Sequence, residues 1–289
     1  MLRRLASLAL IIATVVSCLA QSSPEPTPTT IAIPQPRFEL TTYMYALQAK
    51  GKIRIGVLDN AAPFSTREPS GRYSGFEADL GRALANSIFG LQPDIDSFIE
   101  WVSVDRSTAT TALTSPQADV VIARLAITEE QAAVIDLSDP YFITGERILV
   151  SSMNDEIKDL ADLDTKTVCV QSGSGVEAHV EDANDSARTI ALDTYSSCLS
   201  ALQQGQVDAI GASEPTLWSL IRQDPNTKIV GRPLVAERYG LGTKKHTADR
   251  QGFLPFLNQF IADVVRGNSW ARLYAQHITP LSKELKSNP

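Results

Sequence analysis

Runs of β-branched and apolar residues alternate with helix-like segments along most of the chain, and this alternation limits the fold more than any other feature. In residues 76–89, Phe76, Leu80 and Leu84 follow each other at intervals of four, which gives a helix one apolar face. Residues 52–57 (KIRIGV) form a short strand-like run before it. Strands that alternate with helices build mostly parallel sheets covered by helices. The sequence therefore predicts an α/β protein.

The same pattern continues to the end of the chain. Further strands are predicted at residues 119–123, 147–150, 167–170 and 207–210. Further helices are predicted from about Gly175, at 195–204, at 215–221, at 254–265 with a stop at Gly267, and at 269–277. Thr128 and Gln131 have the spacing of a capping box, with Thr128 as N-cap and Gln131 at the third helical position.

Composition excludes several classes of protein. The chain has 289 residues, enough for one large or two ordinary domains, and 43% hydrophobic residues, which is normal for a globular protein. It carries 26 Lys and Arg against 33 Asp and Glu, so a nucleic-acid partner is not expected. It contains no CxxC, HExxH or GxxxxGK[ST] motif, so we expect no zinc site, no bound nucleotide and no other cofactor.

The N-terminus has the pattern of an export signal. Arg3 and Arg4 precede an almost wholly apolar run at residues 8–16, which is too short to span a bilayer. The run ends in Val-Val-Ser-Cys18, which resembles the bacterial lipoprotein processing box, in which the Cys becomes lipidated. A plain secretory signal, with no special role for Cys18, is the alternative. Residues 21–36 are rich in Pro, Ser and Thr, as an extended tether requires.

Export also changes the interpretation of the remaining cysteines. Cys169 lies in a predicted strand and Cys198 in a predicted helix, and in an oxidising compartment the two could form a disulfide. Two buried free thiols are the alternative.

Ordered motifs along the chain resemble one known family. They are residues 51–57 (GKIRIGV), 62–64 (APF), 75–80 (GFEADL), 118–123 (ADVVIA), 127–130 (ITEE), 135–141 (IDLSDPY), 206–209 (QVDA) and 239–242 (YGLG). The series is similar to the extracellular solute-binding proteins, family 3, of polar-amino-acid ABC transporters. The cysteine pair and residues 204–208 are most similar to actinobacterial glutamate-binding lipoproteins of that family.

The resemblance implies a type 2 periplasmic-binding-protein fold, with two lobes joined by two hinge strands. Residues 1–17 would be the signal peptide and 18–39 the lipidated tether. Lobe 1 would comprise residues 40–140 plus 240–289, and lobe 2 residues 146–234. The chain would cross between lobes near Tyr141–Glu146 and Val235–Tyr239. Ligand would bind between the lobes and favour their closure.

The family's ligand contacts fall on altered positions in this chain. The resemblance places Gln131 where the family has an Arg for the ligand α-carboxylate, and Ala126 where it has a Thr. Gln131 could equally serve only the capping box. Ser213 stands where the family has the acid for the α-amino group, and the adjacent Glu214 could substitute.

Two arginines could compensate for these changes. Arg106 falls where acidic-amino-acid binders of the family also carry Arg, and Arg124 follows an apolar strand, where a charge needs a partner. A guanidinium binds a carboxylate through two hydrogen bonds. The alternative is a surface ion pair of each arginine with the nearby Asp105 or Glu130. Phe64 could form an apolar wall or belong to the core.

The loop at residues 171–175 is a further candidate for the binding site. Ser172, Ser174 and Gly175 lie between a strand and a helix, where backbone N–H groups favour an anion. The matching loop lines the cleft in the family, and an ordinary tight turn is the alternative.

The resemblance implies a membrane-anchored extracytoplasmic monomer that captures a small carboxylate-bearing solute and delivers it to an ABC transporter permease. An acidic amino acid such as glutamate or aspartate, or a dicarboxylate, is the expected ligand. A sensing module for a membrane receptor or kinase is the alternative. A dehydratase or lyase on the same fold is disfavoured, because Glu214 is the one catalytic acid that the sequence suggests.

Overall fold

The computed structural model describes residues 37–282. The expected export signal, the expected lipidation at Cys18 and most of the expected tether lie outside the described residues, as do residues 283–289, which are expected to belong to lobe 1. Within the described range, no helix combines the length and the apolar character that crossing a membrane requires.

Strands and helices alternate along the described chain. The strands are β1 (Ile53–Leu58), β2 (Asn60–Ala61), β3 (Ser65–Arg67), β4 (Tyr73–Ser74), β5 (Ile99–Val104), β6 (Val120–Ala126), β7 (Ile135–Ser151), β8 (Thr167–Gln171), β9 (Arg188–Leu192), β10 (Ala209–Ser213), β11 (Thr227–Val230) and β12 (Ala236–Lys244). The α-helices are α1 (Tyr43–Lys50), α2 (Phe76–Phe89), α3 (Ala109–Thr114), α4 (Glu129–Val134), α5 (Val176–Ala183), α6 (Tyr195–Gln203), α7 (Glu214–Gln223), α8 (Phe253–Arg266), α9 (Ser269–His277) and α10 (Thr279–Ser282). Short 3-10 helices lie at Ile95–Phe98, Leu160–Leu163 and Ala248–Arg250.

One hydrogen-bonded sheet runs through both lobes in the order β5-β1-β6-β12-β7-β10-β8-β9, with β11 also paired to β7. In lobe 1, β1 is parallel to β5 and β6. In lobe 2, β8 is parallel to β9 and β10. The expectation of mostly parallel sheets is therefore only half right, because β7, β11 and β12 pair antiparallel with their neighbours.

Strands β7 and β12 connect the two lobes. The first part of β7 pairs with β12, from Ile135 opposite Lys244 to Gly145 opposite Ala236, and its last part pairs with β10 and β11. At Gly145 the two strands leave no space for a side chain, because an added Cβ would lie 2.4 Å from the carbonyl oxygen of Val235. The fold is thus two α/β lobes joined by two long strands.

The apolar spacing of α2 buries one face of that helix in lobe 1. Phe76, Leu80, Leu84 and Ile88 have no exposed surface. Around them lies an aromatic cluster centred on Phe142, whose ring lies 5.0 Å from that of Phe64 and 5.5 Å from that of Phe76. The strand that links the lobes is therefore anchored in the core of lobe 1.

Lobe 2 has its own apolar core, which a disulfide crosslinks. Cys169 of β8 and Cys198 of α6 are bonded, with their Cα atoms 5.6 Å apart. Both residues are fully buried, in the same apolar cluster as Leu149 and Ile210. The predicted pairing of these cysteines is confirmed.

Candidate functional site

A cavity of about 540 Å³ lies between the lobes, at the carboxyl ends of parallel strands. Ligands of open α/β sheets bind at this edge. Its lining residues come from lobe 1, from lobe 2 and from the two linking strands: Arg106, Arg124, Ala126, Glu146, Gln171, Gly173, Ser174, Val176, Tyr195, Ser213, Thr216, Glu237 and Tyr239. Two arginines and two glutamates thus face one space, which suits a ligand with both an anionic and a cationic group.

The cleft continues beyond this cavity on both sides. A second cavity, of about 590 Å³, shares Arg106 and Arg124 with the first and is also lined by Asp59 and Asn60. A third, also about 590 Å³, shares Ser174 and extends along α5. The two arginines therefore stand where the first two cavities meet.

Arg124 is held in an unusual backbone conformation. Its φ angle is 51°, in the left-handed region that residues other than glycine rarely adopt. Its backbone N–H donates to the Glu77 carboxylate at 2.8 Å. The centre of its guanidinium lies 5.7 Å from the centroid of the Phe64 ring, within the range of a cation–π contact. These contacts stabilise the backbone turn that presents the guanidinium to the cavity.

Glu77 lies directly behind Arg124 and is completely buried. The Tyr141 hydroxyl also donates to its Oε1 atom, while its Oε2 atom is buried without a hydrogen-bond partner. Burial raises the pKa of Glu77 to about 7, although the charge of Arg124 and the Tyr141 hydroxyl oppose this shift. A carboxyl group that titrates near neutrality therefore supports one of the two cavity arginines.

Arg106 lies in the turn between β5 and α3 and is exposed to the cleft. The carboxylate of the neighbouring Asp105 accepts hydrogen bonds from the backbone N–H groups of Ser107 and Thr108, both at 2.8 Å. Hydrogen bonds from these two residues lower the pKa of Asp105 to about 2. Asp105 thus shapes the turn that carries Arg106.

The acidic side of the cavity comes from the linking strands. Glu146 of β7 is 7% exposed, and its Oε2 atom lies 2.7 Å from Nδ1 of His179. Glu237 of β12 accepts a hydrogen bond of 2.7 Å from the Tyr239 hydroxyl. The sequence reasoning did not select either glutamate, although both lie in the segments expected to cross between lobes. A charged residue inside such a segment is the feature that could have identified them.

Five of the ten ligand-contact candidates from the sequence line this cavity: Arg106, Arg124, Ala126, Ser174 and Ser213. Gly175 instead lines the neighbouring cavity along α5. Ser172 lines none of these three cavities, and its backbone N–H donates to the Leu192 carbonyl at 2.9 Å.

The other three candidates lie away from the cavity. Phe64 is fully buried in the aromatic cluster, beneath Arg124. Gln131 donates its backbone N–H to the Thr128 hydroxyl at 3.2 Å, as the capping box predicts, but its side chain accepts from Thr110 instead of completing the box.

Glu214 is buried at the start of α7. It accepts a hydrogen bond from Thr144 at 2.8 Å and forms an ion pair with Arg147 at 3.0 Å. Its carboxylate is therefore engaged within the protein, while the neighbouring Ser213 faces the cavity.

The fold and this cleft define a two-lobed solute receptor of the type 2 periplasmic-binding class. The model of the bacterial extracellular solute-binding proteins, family 3, matches residues 53–280, which is more than half of the chain. The chain therefore belongs to this family, whose members are extracellular solute-binding receptors.

Individual relatives are amino-acid-binding proteins. The chain is 29% identical over 209 residues to the glutamine-binding protein of Geobacillus stearothermophilus, which covers 72% of this chain and 78% of the relative. It is 27% identical over 235 residues to the glutamate-binding protein GluB of Corynebacterium glutamicum, with 79% of each chain covered. Among solved structures, an ancestral arginine-binding protein bound to arginine matches with a TM-score of 0.56 and 31% identity, over 79% of this chain and 98% of that one.

Proposed function

We propose that this protein captures an amino acid with its lobes and delivers it to an ABC transporter permease. Ligand would bind between lobe 1 (residues 40–140 plus 240–289) and lobe 2 (residues 146–234) and favour the closed arrangement. The lipidated Cys18 and the tether after it would hold the protein at the outer face of the cell membrane. Relatives named as glutamine- and glutamate-binding proteins support the choice of ligand class.

The observation that carries this proposal is the pair of arginines at the junction of the cavities. Arg106 follows β5 and Arg124 lies near the end of β6, and both line the same two cavities. A carboxylate placed between them would accept charge-assisted hydrogen bonds, which are about twice as strong as neutral ones. Ser174, in the loop before α5, lines the same cavity from lobe 2. A ligand that reaches both sides gains most when the lobes close.

Binding rather than catalysis is the proposed activity. Glu214, the acid that the sequence suggested for catalysis, is paired with Arg147 and Thr144 and does not line the cavity. Members of the family are receptors for solutes.

Titration calorimetry with L-glutamate, L-glutamine and L-aspartate tests the proposal. We expect at least one of them to bind, and Arg124→Ala to weaken its binding by roughly 2 kcal/mol or more, because a charge-assisted contact is lost. Arg188→Ala is the matched control, since it removes the same charge from the exposed face of β9 in lobe 2. Equal affinities of Arg124→Ala and the wild-type protein would contradict the assignment of Arg124.

A further inference from the structure

The position expected to accept the ligand's ammonium group carries no acid in this chain. Ser213 occupies it, at the end of β10, and faces the cavity. The adjacent Glu214 is buried, binds Thr144 and Arg147, and does not line this cavity. An ammonium group in the cavity therefore needs another carboxylate as its partner.

The strand pairing supplies a carboxylate next to Ser213. Strands β10 and β7 are antiparallel, and Ser213 is directly opposite Glu146. Side chains of residues directly opposite each other lie on the same face of a sheet, with their Cβ atoms about 4.5–5.5 Å apart. Both residues line the same cavity. The carboxylate of Glu146 is thus one strand away from the position that lacks an acid.

The surroundings of Glu146 allow its carboxylate to bind a cationic group. Glu146 is buried, and an ionised carboxylate at such a site needs compensating partners. His179 of α5 supplies one of them at 2.7 Å; because a carboxylate can only accept, Nδ1 of His179 is the donor. Glu146 lines the same cavity as Arg106 and Arg124, and its carboxylate has acceptor capacity beyond the bond to His179.

We infer that Glu146 is the specificity-determining residue that makes this cleft select a ligand with an ammonium group over one with carboxylates alone. This inference rests on the proposed function and deepens it, because it names the residue that would bind the ammonium group of the amino acid. The ligand carboxylate would lie toward the arginines of lobe 1 and its ammonium group toward Glu146 on the linking strand.

A second acid, Glu237, also favours a ligand with an ammonium group over one with carboxylates alone. Glu237 on β12 is opposite Thr144, which lies two residues before Glu146 on β7 and so on the same face of the strand. Glu237 therefore faces the cavity from the same side as Glu146. A dicarboxylate in the cavity would meet two like charges there and have no cation to offer them.

Calorimetry with matched ligands tests the inference on the intact protein. The probes are L-glutamate and L-glutamine, and their deamino analogues glutarate and glutaramate. Wild-type protein should prefer each amino acid to its analogue by about a hundredfold or more, and Glu146→Gln should reduce that preference by about tenfold or more through weaker binding of the amino acid. Glu156→Gln, which removes an exposed acid of lobe 2 that pairs with Lys166, should keep the wild-type preference.

A charge-relocation variant separates this role from a structural one. Glu146→Gln combined with Ser213→Asp moves the carboxylate to the directly opposite strand position, and should restore the preference for the amino acids. If Glu146→Gln alone does not fold, the double variant can still be compared with the wild-type protein in the same measurement. The inference would be overturned if Glu146→Gln kept the wild-type preference for amino acids over their analogues. It would also be overturned if Glu146→Gln weakened the binding of both kinds of ligand equally and Ser213→Asp did not restore the preference. Either result would leave the proposed function intact. Failure of wild-type protein to bind any of the four probes would overturn both.

Discussion

Replacing Glu77 by Gln should change how the stability of the protein depends on pH. Glu77 is completely buried behind Arg124, and burial raises the pKa of its carboxyl group from 4.5 to about 7. Gln has nearly the same shape and can still accept hydrogen bonds from the Arg124 N–H group and the Tyr141 hydroxyl, so the variant removes the titration and keeps the contacts.

The direction of the change in stability with pH follows from the number of protons that the folded and the unfolded states bind at Glu77. Between pH 4.5 and about 7 the folded protein holds a proton on Glu77 that the unfolded chain has largely released, because its folded pKa is the higher one. The free energy of unfolding contributed by Glu77 therefore falls as the pH rises through this range. With about 1.4 kcal/mol per pKa unit, the loss between pH 5 and pH 8 amounts to about 2–3 kcal/mol.

Urea denaturation of the wild-type protein and Glu77→Gln at pH 5, 6, 7 and 8 measures this loss. Other titrating groups are common to both proteins and cancel in the difference. The free energy of unfolding of the wild-type protein, minus that of the variant, should fall by about 2–3 kcal/mol from pH 5 to pH 8. A difference that stays constant or grows with pH would refute the reasoning, since it would mean that Glu77 is ionised in the fold throughout.

Two further predictions concern the covalent and backbone restraints of the fold. Replacing both Cys169 and Cys198 by Ala should lower the free energy of unfolding by about 3.5 kcal/mol in the chain-entropy model, because the disulfide closes a loop with a separation of 29 residues; equal urea midpoints under oxidising conditions would contradict this. Gly145→Ala should destabilise the protein by about 1–3 kcal/mol, because its Cβ would lie 2.4 Å from the Val235 carbonyl oxygen on the other linking strand. A thermal unfolding midpoint equal to that of the wild-type protein would show that the linking strands can separate without cost.

Apolar periodicity alone predicted several helices closely. The limits expected for residues 76–89 and 269–277 are those of α2 and α9. In α2 a regular apolar face lies between Gly75 and Gly90, so local sequence and tertiary packing favour the same limits.

Some strands lack a pattern that sequence reasoning can detect. β9 is a sheet edge with mostly exposed side chains, so it has no buried face to produce an apolar run. β12 contains Gly240 and Gly242, where its pairing with β6 and β7 shifts register. The strand expected at residues 207–210 lies at Ala209–Ser213: Val207 contributes to the apolar core of lobe 2, but pairing with β8 begins only at Ala209.

The residues of the candidate site also divide into those that the sequence identifies and those that only the structure identifies. Arg124 could be selected from the sequence, because a charge directly after a buried strand needs a partner. Glu146 differs from its neighbours only as a charge in an expected crossing segment, and its place beside Ser213 depends on the register between β7 and β10, which the sequence does not specify. Phe64 and Glu214 were plausible contacts by position, but an aromatic cluster buries Phe64, and Arg147 and Thr144 bind Glu214.

A crystal structure of the protein saturated with the amino acid that binds it most tightly would test the account most directly. The account predicts density for the ligand in the cavity between the lobes, with a carboxylate in hydrogen-bond contact with Arg124 or Arg106 and the ammonium group against Glu146. A ligand bound outside this cavity, or one whose carboxylate faces Glu146 and Glu237, would contradict the central claim that the cleft binds an amino acid between lobe 1 arginines and linking-strand glutamates.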